Sequence, residues 1–314
     1  MGSAFKHALV TGGAGFIGSH LVEALLRERV EVTVLDNLSV GRRENVPSGV
    51  PIVVGDILDT DLVSSTLSEC DVVFHLAARV AIRSSFEFAV QDATTNAVGT
   101  ASVLRAARIA GTIRKVIGTS SMAVYGQTAD HSPIRESFPT DPISPYGISK
   151  LAAERLTHML CSEAGMQSVV LRLFNTYGPR QALSPYVGVI TIFLSKLLNG
   201  ENPTIYGDGE QRRDFVHVRD VAAAYVRAMN ADVTGQTFNI GSGVPRSVNE
   251  VLNSLNKMVG HKSAARRCEA LPGELRYAVA DIAKAREVLG YNPIQNFDSS
   301  LRDLVTEVQG SMLV

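Results

Sequence analysis

Short apolar runs, rich in β-branched residues, alternate with longer amphipathic segments through the first half of the chain. Continuous apolar runs are typical of strands buried on both faces of a parallel sheet. Six of them predict strands: HALVTG, EVTVLD, PIVVGD, DVVFHLA, KVIGTSS and SVVLRLFN. Three intervening segments have helical periodicity: GSHLVEALLRE, NAVGTASVLRAARIAG and SPYGISKLAAERLTHMLCSEAG. This alternation predicts an α/β fold with a doubly wound parallel sheet and right-handed crossovers.

The regular alternation of strands and helices ends at about Tyr177, after which loops with proline and glycine alternate with helices. Two short strands, DFVHV and TFNIG, lie in this part. We predict a smaller, interwoven C-terminal lobe over the carboxyl edge of the sheet, where ligands bind in such folds. The predicted division is between residues 1–176 and 177–314, with some strands and helices of the second part returning to the first lobe.

Composition narrows the class of protein. The chain has 314 residues, 45% of them hydrophobic, and a formal net charge of −1. Without Lys/Arg-rich runs, we expect neither a nucleic-acid partner nor a membrane surface. No signal peptide or apolar span is visible, and Cys70, Cys161 and Cys268 are scattered, which favours buried thiols in a cytoplasmic protein. Seven histidines without metal-ligand spacing predict no metal site.

A glycine-rich turn, TGGAGFIGSH, follows the first predicted strand. Gly13, Gly15 and Gly18 fit the spacing G-x-G-x-x-G, while Gly12 with the last two fits G-x-x-G-x-x-G. Glycines here allow a tight turn, a close approach of backbone to a pyrophosphate and close helix–strand packing. Asp36 ends the second strand, where a carboxylate accepts the adenosine ribose hydroxyls. Because a carboxylate repels a 2′-phosphate, we predict a Rossmann lobe that binds NAD rather than NADP.

Tyr146 and Lys150 form an i,i+4 pair in the helix that Pro145 begins. Such a pair can be a partly buried tyrosine beside a solvated lysine. It can also be catalytic, because an ammonium group near a phenol favours the phenolate. From the pair alone both interpretations remain open.

Eight segments resemble, in the same order, those of the extended short-chain dehydrogenase/reductases that act on nucleotide sugars, especially the NAD-dependent 4-epimerases. They are TGGAGFIG, GDI, HLAA, TSSMAVYG, YGISK, RLFNTYGP, GDGEQRRDFVHV and ADIAKAREVLGY, and they span essentially the whole chain. The resemblance implies a Rossmann lobe that holds NAD, a C-terminal lobe that holds a nucleoside diphosphate sugar, and a Ser/Thr–Tyr–Lys active site.

By motif, the resemblance implies catalytic roles for Ser121, Tyr146 and Lys150. The positions that it implies for the cofactor are Gly12, Gly15, Phe16, Ile17, Gly18, Asp36, Asn37, Asp56, Ile57, Ala77, Asn96, Tyr146 and Lys150. The positions that it implies for the substrate are Arg83, Ser121, Asn175, Val189, Thr204, Tyr206, Arg213, Glu274 and Arg276. Within that set, Asn175 and Arg213 match diphosphate contacts. Thr204 and Tyr206 match positions that hold uracil.

In such a site Tyr146 and Lys150 act together in proton transfer. The ammonium group and the positive nicotinamide ring are expected to lower the pKa of Tyr146 from ~10. Its phenolate then takes a proton from a sugar hydroxyl while hydride leaves the same carbon for NAD⁺. Ser121 hydrogen-bonds the same oxygen. If the 4-keto sugar turns over before hydride returns, C4 is epimerised without net redox change.

Residues beside Ser121 favour this reaction over others of the family. Related 4,6-dehydratases have an acidic pair directly after this serine and decarboxylating relatives have a nearby glutamate, whereas this chain has Met122 and Ala123. Ala182 stands where relatives that act on UDP-glucuronate have an arginine. Ala278 replaces a bulky tyrosine that blocks N-acetylated sugars in some relatives. We predict a UDP-glucose/UDP-galactose 4-epimerase that also has room for the N-acetyl forms.

The chain departs from the family at Leu271, where many relatives have an arginine, and Arg276 is expected to replace that arginine. The helices TTNAVGTASVLRAARIAG and SPYGISKLAAERLTHMLCSEAG carry apolar residues beyond what one sheet face can cover and match those that form a four-helix bundle in dimeric relatives, so we expect a homodimer. One alternative is a nucleotide-sugar dehydratase or ketoreductase of a tailoring pathway. The other is a non-catalytic NAD-sensing regulator, which would not need Ser121, Tyr146 and Lys150 together.

Overall fold

The computed structural model describes residues 3–80, 82, 84–126, 132–182, 188–260, 264–270 and 275–312. Its strands are β1 His7–Thr11, β2 Glu31–Asp36, β3 Ile52–Val54, β4 Val72–His75, β5 Lys115–Ser121, β6 Gln167–Leu173, β7 Asn175–Tyr177, β8 Thr204–Tyr206, β9 Arg212–His217, β10 Gln236–Ile240, β11 Pro245–Ser247, β12 Arg266–Cys268 and β13 Tyr277–Ala278. Its α-helices are α1 Phe16–Arg27, α2 Thr60–Thr66, α3 Ala89–Asp92, α4 Gly99–Ala110, α5 Pro145–Glu163, α6 Val189–Leu198, α7 Val218–Asn230, α8 Val248–Val259, α9 Ala283–Leu289 and α10 Phe297–Met312. A π-helical segment, Ala93–Val98, joins α3 to α4.

In the described part of the chain, seven strands form one parallel sheet in the order β10-β6-β5-β4-β1-β2-β3. Thr11 at the end of β1 pairs with Leu35 of β2 on one side and with His75 of β4 on the other. The chain reverses its direction of winding at this point, and ligands bind at such switch points. The predicted Rossmann-type α/β fold is confirmed, and all six strands expected in the first half belong to this sheet.

Helices cover both faces of the large sheet because each has one apolar side. On one face, α1 and α7 pack together and contribute Leu21, Leu25 and Val221 to the core. On the other, α2, α4 and α5 contribute Val63 and Val103, among others. These two layers leave the carboxyl ends of the strands uncovered, so that the loops there define the site.

The first turn of α5 is locally determined. Ser144 precedes the helix and its hydroxyl oxygen accepts a hydrogen bond from the Gly147 N–H at 3.1 Å. Pro145 occupies the first helical position, where a missing N–H costs nothing. A side-chain cap and a proline therefore fix the start of the helix that carries Tyr146.

The chain after Tyr177 contributes to both parts of the molecule. Strand β9 lies at the centre of a smaller sheet, between antiparallel β11 and parallel β13, and also pairs with β7. Strands β8 and β12 form a separate parallel pair, and α6, α8 and α10 surround a third apolar core. By contrast, the predicted strand TFNIG is β10, which extends the edge of the large sheet beside β6.

Asp214 in β9 orders the loops around the smaller sheet. Its side chain is fully buried and accepts hydrogen bonds from the backbone N–H groups of Ser242, Gly243 and Ala280 at 2.6–3.1 Å. Gly241 is required beside it, because a Cβ there would overlap the carboxylate oxygen Oδ2. Asp214 is therefore a structural residue.

Three remaining expectations concern surface and chemistry. Cys70 and Cys161 are buried thiols, but Cys268 is only half-buried because it lies on the short, outlying strand β12. Among the described residues, the helices are too short or too polar to cross a membrane. The same residues contain no group of three or more His, Cys, Asp or Glu side chains that could hold a metal ion.

Candidate active site

The turn after β1 is built from glycines that leave no room for side chains. Gly12 has φ of +70°, and a Cβ on it would lie 2.8 Å from the backbone nitrogen of Ala77. A Cβ on Gly18 would overlap the carbonyl oxygen of Gly12. Helix α1 begins at Phe16 without a side-chain cap, since Gly15 precedes it. Its first N–H groups therefore point into an open cradle that fits a pyrophosphate.

Carboxylates stand at the ends of β2 and β3, beside this turn. Asp36 is buried, and its two oxygens accept hydrogen bonds from the N–H groups of Ala14 at 3.0 Å and Leu38 at 2.8 Å. The Asn37 side-chain amide donates to the Asp56 carboxylate at 3.0 Å. This acidic edge suits ribose hydroxyls and disfavours a 2′-phosphate, so the residues present fit NAD. The predicted residue Ile57 is buried directly behind it.

His75 at the end of β4 is a structural residue. Its Nδ1 hydrogen-bonds the Thr11 hydroxyl at 2.8 Å and its Nε2 the Thr100 hydroxyl at 2.9 Å. Burial, with a smaller contribution from the charge of Lys150, lowers the pKa of His75 to about 3. A neutral, doubly bonded histidine is therefore part of the scaffold. The Thr11 hydroxyl also accepts from the Ala77 N–H, which holds the loop above the sheet.

Asn96 lies in the π-helical segment and is fully used within the protein. Its Oδ1 accepts from the Arg79 N–H at 2.8 Å, and its Nδ2 donates to the Arg79 carbonyl at 3.1 Å and the Ser149 hydroxyl at 2.9 Å. The Ser149 hydroxyl in turn donates to the Tyr146 carbonyl at 2.8 Å. Asn96 thus fixes the loop after β4 against the first turn of α5. The sequence gives no signal for the Ser149 link, since Ser149 and Asn96 are far apart along the chain.

The three predicted catalytic residues lie around the end of β5. Tyr146 and Lys150 are about one-twentieth exposed, at 6% and 5%, and Ser121 is half-buried. Ser121 ends β5, and its hydroxyl accepts a hydrogen bond from the Ala123 N–H at 3.2 Å and lies near enough to Tyr146 to act on the pKa of its phenol. A phenol, a hydroxyl and an ammonium group therefore share one edge of the sheet.

Without the cofactor, the protein's own groups do not lower the pKa of Tyr146. Burial raises the pKa of Tyr146 to about 12, opposed by the Ser121 hydrogen bond and reinforced by the negative charge of Asp92. Burial also lowers the pKa of Lys150 to about 8, while the charge of Glu154 raises it. Burial is the largest influence on the pKa of both groups, and a one-turn spacing along a helix cannot reveal it.

The strands of the smaller sheet carry the residues predicted to hold the diphosphate. Asn175 in β7 donates to the Asp214 carbonyl at 3.1 Å and contacts the Met122 sulfur at 3.7 Å. Arg213 in β9 is half-buried and pairs in register with Ala278 of β13. These predicted positions therefore occupy adjacent strands, next to the 3₁₀ turn that follows Ser121.

Arg276 forms a bidentate ion pair with Asp208, in which both N–O distances are 2.6 Å. The pair is about half-exposed, at 52% and 54% of the side-chain surface. Other substrate positions stand on separate elements: Thr204 and Tyr206 on β8 and Val189 at the start of α6. The predicted contacts Arg83 and Glu274, and Leu271 with its missing arginine, lie outside the described residues.

This fold and site define a class: a Rossmann-type NAD-binding enzyme with a short-chain dehydrogenase/reductase Tyr–Lys pair. The chain belongs to the NAD dependent epimerase/dehydratase family, whose profile matches residues 8–241, and its cofactor is NAD. It is 41% identical over 293 residues to the UDP-glucose 4-epimerase of Mycolicibacterium smegmatis, covering 91% of this chain and 93% of that one. The structure of the Thermotoga maritima UDP-glucose 4-epimerase with UDP-glucose superposes with a TM-score of 0.93 at 35% identity, covering 98% and 99% of the two chains.

Relatives with another activity are similar over the same length. The UDP-N-acetyl-alpha-D-glucosaminuronate decarboxylase of Bacillus cytotoxicus is 33% identical over 321 residues, covering 96% of this chain and 97% of that one. Overall similarity therefore identifies the family and the class of enzyme. The reaction must be argued from individual residues of the site.

Replacing Asp36 by asparagine should reduce the preference for NAD over NADP. The change removes the negative charge but keeps the size of the side chain, and relief of charge repulsion corresponds to ~10-fold in relative affinity. Dissociation constants of both cofactors, measured by calorimetry, give the ratio. Asp71→Asn is the matched control, because Asp71 also accepts backbone N–H groups, those of Lys6 and His7, at the opposite end of β1. An unchanged ratio in Asp36→Asn would exclude Asp36 as the selecting group.

Proposed function

We propose that the chain interconverts UDP-glucose and UDP-galactose, and their N-acetylated forms, by inverting C4 through a transient 4-keto sugar. The observation that carries this proposal is the convergence of Ser121, at the end of β5, with buried Tyr146 and with Lys150 one turn away on α5, at the edge that holds the NAD cradle. The side chains that follow Ser121, those of Met122 and Ala123, cannot transfer a proton. The similarity to two UDP-glucose 4-epimerases supports the same reaction.

Proton transfer is assigned to Tyr146. Its phenol oxygen takes the proton of the sugar C4 hydroxyl and later returns it, while the Ser121 hydroxyl orients the same oxygen. Because burial holds the pKa of Tyr146 at about 12, nearby positive charge is required to form the phenolate. Lys150 provides one such charge from within the protein. NAD⁺, when bound, supplies the hydride acceptor and a positively charged ring.

Several residues of the sheet edge would hold the cofactor. The glycine turn and the first N–H groups of α1, from Phe16 to Gly18, would bind the pyrophosphate. Asp36 would accept the adenosine ribose hydroxyls, with Asn37 and Asp56 beside the adenosine. Lys150 would reach the nicotinamide ribose from α5. Each assignment rests on the position of the residue at one edge of the parallel sheet.

The diphosphate and base would lie against the smaller sheet. Asn175 and Arg213 would contact the diphosphate, and Thr204 and Tyr206 the uracil. Arg276 would contact the second phosphate by exchanging its ion pair with Asp208 for the ligand. A solvent-exposed ion pair contributes little to stability, so the exchange carries little cost.

A uronic acid substrate is disfavoured by the loop after β7. Ala182 offers no charge to a sugar carboxylate, and the nearest alternative, Arg180, is already engaged. Its guanidinium forms an ion pair with Glu23 of α1 and donates to the Asn45 carbonyl at 3.4 Å. The loop is therefore tied to the cofactor helix, which supports a neutral hexose at this site.

Tyr146→Phe should fold and hold NAD but lose turnover by ~10²-fold or more, because only the titrating oxygen is removed. Lys150→Ala should be equally damaging, and Ser121→Ala less so. The two losses at Tyr146 and Lys150 should be far from additive, since both serve one proton transfer. Turnover is measured by NMR on a panel of UDP-, GDP- and dTDP-sugars, including UDP-GlcNAc and UDP-GalNAc.

Tyr225→Phe is the matched control for this prediction. Tyr225 is fully buried and its phenol hydrogen-bonds the Thr119 hydroxyl at 2.6 Å, but it lies beneath the site on α7. Its loss should affect stability more than turnover. Near-normal activity of well-folded Tyr146→Phe on the best substrate would exclude Tyr146 as the base.

We further propose a homodimer through the outer faces of α4 and α5. Ile148 and Met159 lie three turns apart on the side of α5 opposite Tyr146, and both are more than half exposed. Val98 and Ile109 are spaced in the same way along the π-helical segment and α4. Because α4 and α5 pack together, these side chains form a continuous apolar stripe, which is typical of an interface.

The dimer is tested by light scattering at micromolar concentration. The wild-type chain should have twice the monomer mass, and Ile109→Glu with Met159→Glu should halve it, because charges would be buried in the interface. Ile294→Glu is the control, since Ile294 is an equally exposed apolar side chain after α9. A monomeric wild-type chain would contradict this assembly.

A further inference from the structure

One face of α5 carries a third buried ionisable group beyond Tyr146 and Lys150. Glu154 follows Lys150 by one turn, so that the three side chains lie in a row along the helix. Glu154 is 5% exposed, as buried as the other two. Buried glutamates are rare unless paired, and the proposed reaction does not use this carboxylate directly.

Glu154 is held in a fork by Arg172 of β6. The Arg172 Nε lies 3.0 Å from Oε2 and Nη2 lies 2.6 Å from Oε1, with both side chains buried. Arg172 Nη1 donates to the Tyr125 hydroxyl at 2.7 Å, and that hydroxyl donates to Asn239 Oδ1 of β10 at 2.7 Å. Three structural elements therefore determine where the carboxylate stands. Bidentate arginine–carboxylate pairs are the most strongly oriented ones.

We propose that Glu154 is a positioning residue that keeps Lys150 charged and directed at Tyr146, with Arg172 fixing the carboxylate. This inference rests on the proposed catalytic role of Lys150. Without Glu154, Lys150 of α5 and Arg172 of β6 would be two buried cations, and Arg172 would lose the carboxylate that it holds. Such an arrangement favours a neutral Lys150, which can no longer stabilise the Tyr146 phenolate.

The groups around Lys150 and Glu154 identify Glu154 as the charge that compensates the Lys150 ammonium group. Lys150 faces His75 of β4, which is neutral, and Glu154 is the acid that raises its pKa against burial. Glu154 itself is faced by Arg172 and by His158 of its own helix, whose pKa burial lowers. Asp92 of α3 acts on Tyr146 instead.

The test is Glu154→Gln, which keeps shape and removes the charge. The pKa of Lys150, followed by NMR of ¹³Cε-lysine in the NAD-bound protein, should fall by about one unit. The alkaline limb of the kcat/KM profile should move down by the same amount, and kcat should fall more than KM changes. Glu154→Asp keeps the charge and should restore most of the limb.

Two further variants separate this role from a general loss of stability. Asp220→Asn removes another buried carboxylate, which accepts the N–H groups of Ile294 and Gln295, and it should leave the limb unchanged. If Glu154→Gln folds poorly, Glu154→Gln with Arg172→Met removes the unpaired cation and should still show the lowered limb. Folding is followed by circular dichroism.

The outcomes distinguish failure of the Glu154 proposal from failure of the proposed 4-epimerase function. Lowered Lys150 titration together with a lowered limb supports it, whereas either quantity unchanged overturns it. Wild-type protein without 4-epimerase turnover contradicts the proposed function alone, since the Lys150 titration is measured independently of any reaction.

Discussion

The arrangement of the site depends on the buried ammonium group of Lys150, which lies on α5. Removing a charge from water costs several kcal/mol even in a real protein interior, so the surroundings of Lys150 must supply compensation. Glu154 lies one turn along the helix, and Arg172 holds it from β6. On the other side, a neutral His75 avoids a second positive charge. The proposed catalytic pair, Tyr146 and Lys150, therefore depends on packing between α5 and the centre of the sheet.

The residues that orient the site are mostly not those that would contact ligands. Asn96 fixes the first turn of α5 through Ser149, and Asp214 orders the loops beside β9. Both side chains are buried, and their partners are backbone groups and one serine hydroxyl each. The parallel sheet brings the cofactor turn and Ser121 to one edge, beside Asn175 of β7. The buried Asn96 amide and Asp214 carboxylate fix the orientation of the loops at this edge. Rigidity at this edge suits a reaction in which hydride must leave and return at a single carbon.

Local signals predicted the large sheet well. The run KVIGTSS is β5, Lys115–Ser121, and EVTVLD is β2, Glu31–Asp36, because both are apolar enough to specify burial on their own. Strands β8, β12 and β13 have two or three residues each and exist only through pairing, so no local pattern marks them. The four-residue spacing of Tyr146 and Lys150 likewise predicted a pair. It did not predict the burial of the pair, which raises the pKa of Tyr146. The Glu154–Arg172 and Asp208–Arg276 pairs join distant parts of the chain and could be found only in the folded structure.

In the proposed reaction, hydride leaves and returns at C4 without net redox change. UDP-glucose deuterated at C4, incubated with the purified protein and followed by NMR, tests this step. We expect UDP-galactose that retains the deuterium at C4, with no label entering solvent. A 4-keto-6-deoxy product, release of carbon dioxide from a uronic acid analogue, or exchange of the C4 label for solvent hydrogen would contradict it.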